Sequence, residues 1–290
     1  MSKLPALKLE HERKLCELVH CDPPVKRWEA SGILRKDRQC FVVFDDRAEI
    51  ACVAEDLQPS AANRLVGKAN AHVGYEGITY NADKQRYYLL VEARKQSSGC
   101  YQALIVEYDE DFAYVKDRPV DFTFKSSNKG FEAVAHLRRD ETDYLLALCE
   151  GNNCKCGAKG RKPGRGRIQV FSKSKKRWQH ARTIALPSSL PFVDYSGMSI
   201  DGEKMAVVSQ ENSMLWVGRF DEAGWQWRDD GQLFEFPRSD DGDILYGNIE
   251  GVAWLSPTRV VTVSDRRKKS SQPDKRLSDK DQSIHIFEIP

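Results

Sequence analysis

One short pattern occurs five times along this chain: a Ser or Glu, then Gly or Ala, then alternating apolar residues. The copies begin at Ser31-Gly32-Ile33, Glu76-Gly77-Ile78, Glu132-Ala133-Val134, Ser196-Gly197-Met198 and Glu250-Gly251-Val252. Their small residues recur roughly 45 to 65 residues apart, the period of a four-stranded propeller blade. Each copy leads into a second apolar run that ends in polar residues. These are Phe41–Phe44 before Asp45-Asp46, Tyr88–Val91 before Glu92, Leu145–Leu148 before Cys149-Glu150, Ala206–Val208 before Ser209-Gln210, and Val260–Val263 before Ser264-Asp265. The runs are short, rich in Val, Ile, Phe and Tyr, and bounded by Gly, Asn and Asp, which favours strands over helices.

Third runs follow in most copies (102–108, 167–171, 213–217), and a fourth, more polar run such as Trp225–Phe236 suits an outer edge. The last copy stops at its third strand, Ile284–Ile289. The N-terminal segment, at Ala6–Leu9 or Leu15–Val19, is expected to supply the missing one. The pattern predicts an all-β chain, a single β-propeller domain over 1–290 with blades starting near 29, 75, 130, 194 and 248. Five blades are expected, or six if the first 28 residues or 228–247 hold a degenerate copy. Glu10–Val19 is the one candidate helix.

Composition narrows the setting. The 290 residues are 40% hydrophobic and 30% charged with a net charge of +2, enough for a core and too balanced for a general polycation. No stretch approaches the roughly 18 apolar residues of a membrane span, and the first residues lack a secretory apolar region, so a cytoplasmic location is expected. The eight cysteines then read as reduced thiols. Cys149, Cys154 and Cys156 give C-x4-C-x-C, short of the paired C-x2-C signature of a zinc site.

In a propeller, the start of the innermost strand and the end of its neighbour lie on one face. A first ring of Ser31, Glu76, Glu132, Ser196 and Glu250 is therefore expected around the channel mouth. A second ring would hold Asp45 or Asp46, Glu92, Glu150, Gln210 or Glu211, and Asp265. Crowded carboxylates repel unless a cation or a partner Arg neutralises them, and Arg47, Arg94 and Arg266 follow the second strand in three copies. Two loops on the same face are basic, 151–167 and 266–281. The expected metal ligands are Glu76, Glu132, Glu250, Ser31, Ser196, Asp46, Glu92 and Glu150. Glu76, Glu132, Glu250 and Asp265 are the catalytic candidates, and Arg47, Arg94, Arg266, Tyr195 and His72 the substrate-binding ones. His136 is placed near the ring as well. Against these readings, the repeated glutamates also suit joints between blades, Tyr195 suits the core, and the basic run after Cys156 suits a solvated, disordered loop.

The Glu-Gly-apolar start of the first strand, followed by a strand ending in an acid, resembles the SdiA-regulated and esterase-like phytase propellers over residues 28–290. That resemblance implies calcium and phosphate-ester chemistry. The Ser-Glu-Glu-Ser-Glu ring also resembles that of the calcium-activated nucleotidases, five-bladed propellers with an axial calcium. Two of the five ring positions are Ser where the phytase-like pattern has Glu. The expected function is a metal-dependent hydrolase of a small anionic ester. The alternative is a noncatalytic platform that holds a protein or nucleic-acid partner on its basic loops.

Overall fold

The computed structural model describes residues 4–21, 25, 27–67, 72–125, 130–221, 223–266 and 277–290. Its first strand, β1 (Lys8–Lys14), runs into one helical turn, α1 (Leu15–Leu18). An antiparallel sheet follows from β2 (Ala30–Lys36), β3 (Gln39–Phe44), β4 (Ile50–Ala54) and β5 (Arg64–Val66), and the next from β6 (Tyr75–Asn81), β7 (Arg86–Lys95), β8 (Tyr101–Tyr108) and β9 (Tyr114–Phe124). Then come β10 (Phe131–Arg139), β11 (Thr142–Cys149), β12 (Arg167–Lys173) and β13 (Trp178–Ala185), with a helical turn, α2 (Gly157–Gly160), between β11 and β12. A parallel bridge from Trp178 to Val120 links the outer edges of these last two sheets. The fourth sheet holds β14 (Gly197–Asp201), β15 (Lys204–Ser209) and β16 (Met214–Asp221), with β17 (Gln226–Trp227) and β18 (Gln232–Glu235) both on β16. The last is β19 (Ile249–Ser256), β20 (Arg259–Ser264) and β21 (Ser283–Glu288), with β1 beside β21. The chain is all-β, with several four-stranded antiparallel sheets and one in which the outer position is shared by two short strands.

The sheets pack face to face through apolar layers that each draw on two successive sheets. Phe41, Val43 and Ile50 meet Tyr75, Tyr87 and Leu89. Tyr88, Leu90 and Ile105 meet Val134, Leu145 and Phe171, and Leu146, Ile168 and Val170 meet Met205, Val207 and Trp216. Val208, Leu215 and Phe234 meet Val252, Val260 and Phe287. Val261, Val263 and Ile284 of the last sheet meet Ile33, Val42 and Phe44 of the β2–β5 sheet. Alternate residues of every second strand thus serve the layers on its two sides, which is why these runs are apolar throughout.

Three expectations need correction. Glu10–Val19 is not a helix: the strand runs to Lys14, and only Leu15–Leu18 turn. The free edge of β21 offers backbone partners to an extended Lys8–Lys14, and Arg259 holds the strand through Glu10 (2.7 Å). This strand shares Lys8 and Leu9 with Ala6–Leu9, the first of the two segments expected to complete the last sheet, and ends just before the second, Leu15–Val19. Second, the outer run Trp225–Phe236 is broken into β17 and β18, because the chain turns at Gly231 (φ +71°) and the Trp216 indole donates to Asp230 O (2.9 Å). Third, Cys149 and Cys154 form a disulfide rather than two thiols, since the chain turns back after β11 and brings their Cα atoms to 5.1 Å. Cys156 stays a free, exposed thiol.

Candidate functional site

The ring residues owe their direction to a repeated irregularity. Between β2 and β3 the pairing passes from Ala30–Phe44 to Gly32–Val43, so Ser31 is an extra residue in its strand. Glu76, Glu132 and Glu250 are extra in the same way. On a regular strand Glu76 and Ile78 share one face. A bulge adds local twist and re-aims the side chain, which takes each glutamate out of register with the apolar residues after it. In the fourth copy the strand begins at Gly197, and Ser196 N donates to Val208 O (3.0 Å).

The result is a narrow cavity of about 10 Å³ lined by Ser31, Glu76, Glu132 and Glu250 together with Gly32, Gly77, Ala133, Gly197 and Gly251. That is room for about one water molecule. The small residues are required by backbone proximity: a Cβ on Gly77 would lie 2.9 Å from Val134 N, and one on Gly32 would lie 2.9 Å from Gly77 Cα. The two serines do backbone work. Ser196 Oγ donates to Ile249 O of the next sheet (2.7 Å), and Ser31 Oγ to Glu29 O (3.4 Å).

The glutamates face like charge. Burial, then the carboxylates of Asp45, Glu92, Glu250 and Glu150, push Glu76 well above the usual carboxyl range. Burial, then Glu150, Glu76, Glu250 and Glu92, does the same to Glu132. Both rings of acids therefore meet electrostatically, with Asp45 rather than Asp46 acting on Glu76. Asp46 is exposed and lies 3.6 Å from Arg47 Nε. Asp265 takes its place through the backbone, donating its N–H to Asn248 O (2.9 Å). Among the described residues no group of three or more His, Cys, Asp or Glu is drawn together as a ready metal cluster. The ring positions Ser31, Glu76, Glu132 and Glu250 carry the oxygen donors a hard cation takes, while Ile33, Ile78, Val134, Met198 and Val252 line the same cavity with apolar groups.

Sequence reasoning missed Asp194. It is buried, accepts hydrogen bonds from Glu211 N (3.3 Å) and from Ser209 Oγ, and is pushed to about 6 chiefly by burial. Its signal was present. In the two copies whose ring position is Ser, an acid stands two residues earlier, Glu29 before Ser31 and Asp194 before Ser196, where the other copies have Gly74, Gly130 and Asn248.

The expected substrate-binding residues scatter. Tyr195 is wholly buried and its hydroxyl donates to Asn152 Oδ1 (3.0 Å), so it belongs to the core and not to the channel wall. Arg47 lies over the Trp28 ring (5.0 Å). Arg94 donates to His72 Nδ1 (2.6 Å), and His72 Nε2 lies 3.0 Å from Asp117. Arg266 is exposed, its N–H donating to Asp265 Oδ1 at 2.5 Å. His136 sits at the opposite end of the channel, against Asp143 (3.2 Å) and in a cavity of about 220 Å³ shared with Arg35, Asp201 and Trp254. A strand rises about 3.3 Å per residue, so four residues carry it away from Glu132.

The basic loop 151–167 is ordered. Asn152 is buried and donates to Gly160 O (3.0 Å) and Phe192 O (3.1 Å), and Arg161 reaches Glu211 of the second ring with both terminal nitrogens. Of the second basic loop, residues 267–276 lie outside the described residues.

No family model matches the sequence, and no curated protein matches it. Solved structures do match in shape. Glutaminyl cyclase from Myxococcus xanthus is 8% identical with a TM-score of 0.52, covering 98% of this chain and 97% of that one. A luciferin-regenerating enzyme and the β-xylosidase RS223 each give 10% identity and a TM-score of 0.52, covering 96% of this chain and 94% of theirs. These are β-propeller folds, and at such identity the likeness speaks for architecture alone: the chain has a β-propeller fold.

Proposed function

We propose that the chain is a single five-bladed propeller, closed by β1 on the last sheet, that takes a divalent cation at its channel mouth and hydrolyses a small anionic ester there. The observation that carries this reading is the convergence of Glu76, Glu132 and Glu250, each aimed by its own bulge, onto one cavity where the surrounding charges are negative. Such a cluster lowers its energy by taking up protons or a cation. Glu76, Glu132 and Glu250 would hold the ion, with Glu92 and Glu150 behind them. Calcium is favoured by the phytase-like resemblance, and phosphate esters by that resemblance and by the basic loop above the acids. A bound ion would supply Lewis-acid polarisation of the ester oxygen. The chain's own part is to place protonated and ionised carboxyls side by side, the pairing that general acid and base catalysis needs. Asp265 and the exposed Arg266 stand at the same rim.

The test is a thermal melt of chelator-treated protein titrated with calcium, magnesium, manganese and zinc. A ligand at a hundred times its Kd stabilises by about 2.7 kcal/mol, which for a chain of this length raises Tm by about 4 °C. A saturable rise that Glu250→Gln removes is expected, with turnover of p-nitrophenyl phosphate that depends on the same ion. No shift with any ion would overturn the cation site, and a shift without ester turnover would overturn the hydrolase.

A second reading is a platform for a protein or nucleic-acid partner, favoured by Lys155, Lys159, Lys162 and Arg165, which stand exposed on an ordered loop. Partner binding that weakens steeply with salt and is lost on trimming 154–166 would establish it.

A further inference from the structure

We infer that a second site, separate from the channel, binds a small organic anion with a planar ring, of the nucleoside-monophosphate class. It is a pocket of about 640 Å³ between the end of β9 and the turn after the disulfide. Its lining shares no residue with the channel cavity.

Charge comes first. Lys125, Lys155, Lys159 and Arg167 line the pocket, and among the described lining residues there is no Asp or Glu. In a chain with 45 basic and 43 acidic residues, four cations around one concavity without a compensating acid are a local excess. Lys125, Lys155 and Lys159 are exposed, so the positive charge is available to a ligand rather than spent on the fold. Lysine ammonium and arginine guanidinium groups are the natural partners of phosphate oxygens.

The second component is apolar. Phe122 and Phe124 line the same pocket. Phe122 is half-buried and rests on Phe124, Phe131 and Phe171, with ring centroids 5.1, 5.4 and 6.5 Å away. Its ring is thereby held in place while part of it faces the pocket, as a platform for a planar group requires. An inorganic anion would leave that surface unused, and a neutral aromatic would leave the cations unused.

The floor is built rather than collapsed. Gln169 is buried, and its side-chain oxygen accepts from Thr183 Oγ1 (2.7 Å) and pairs with His180 Nε2 (2.8 Å), while its amide nitrogen lies 3.2 Å from Cys154 Sγ. The Cys149–Cys154 disulfide anchors the turn that carries Lys155 and Lys159. The volume lies within the roughly 300–1,000 Å³ of small-molecule pockets.

Calorimetry with adenosine monophosphate on the full chain tests this, with adenosine and inorganic phosphate as separate titrants and Lys155→Glu/Lys159→Glu as the variant. Both lysines are exposed, so the variant is expected to melt as the parent does. Saturable binding of the nucleotide is expected. Kd should rise at least roughly tenfold in the variant, and either half-ligand should bind at least roughly tenfold more weakly. Three results would overturn the site: no saturable nucleotide binding up to millimolar concentration, binding unchanged in the variant, or inorganic phosphate matching the nucleotide. Phe122→Leu separates the two components, and unchanged nucleotide affinity there would refute the stacking platform.

Discussion

Gly77→Ala sets two calculable effects against each other. The residue does not have a positive φ, so an alanine suits its backbone and should stabilise by about 0.4–1 kcal/mol through the unfolded chain. Against this, the new Cβ would lie 2.9 Å from Val134 N, 3.2 Å from Ala133 Cα and 3.3 Å from Val134 Cγ1. Two of those three atoms are backbone of the next inner strand and cannot rotate away. Relief requires β6 and β10 to separate, and overpacking of this kind costs about 1–3 kcal/mol. The clash should win over most of these ranges, with a net loss of up to about 2.6 kcal/mol. At about 2.1 cal/mol/K per residue the unfolding entropy makes this a drop of up to about 4 °C in Tm. The assay is a pair of melts, thermal and in urea, with Ala133→Gly beside it. The third copy already holds a Cβ at the equivalent position, so Ala133→Gly should show only the usual glycine penalty of about 0.5–1 kcal/mol. If Gly77→Ala melts at or above the parent temperature, the inner strands are not locked at the spacing described, and the proposed closure of five blades loses its support.

Further expectations concern charge and joints. Glu76 and Glu132 are raised in the fold, so the native state keeps protons that the unfolded chain releases. Their contribution is harmless below the ordinary Glu value of 4.5 and becomes destabilising as pH rises above it. Glu132→Gln should therefore stabilise the chelated protein at neutral pH and make no difference near pH 4; urea midpoints across pH 4–8 that stay parallel to the parent would contradict this. Ser196→Ala strands the buried Ile249 carbonyl and should cost about 1–3 kcal/mol in a urea melt; a loss under a few tenths would deny the joint. Cys154→Ser opens a disulfide spanning five positions and should lose about 2 kcal/mol by the loop-entropy relation. A reductant should then destabilise the parent and leave the variant unmoved.

Strand order was legible because it rests on periodicity: five copies of one motif, each followed by a partner run, define inner hairpins whatever the rest of the chain does. The ring glutamates were legible for the same reason, though their bulges were not, because an extra residue in a strand has no composition of its own. N-terminal Lys8–Lys14 was hard to read since its side chains alternate between exposed and half-buried, and its strand character comes from the edge of β21. Tyr195 shows the opposite limit. Adjacency to Ser196 in sequence says nothing about direction, and the ring points inward to Asn152. The Cys149–Cys154 bond depends on a turn whose path is set by buried Asn152, a residue with no visible signature in sequence.

β1 has a consequence for the history of each molecule. It is synthesised roughly 270 residues before the strand it pairs with, an interval of about 15–55 s at ordinary rates of translation. During that time the segment has no hydrogen-bonding partner in its own sheet, and the inner face of the first sheet waits for Val261, Val263 and Ile284 to cover it. Anything that slows the ribosome between β1 and β21 lengthens the exposure of both surfaces, so the rate of translation, as well as the final sequence, should govern how much of this protein a cell recovers in soluble form.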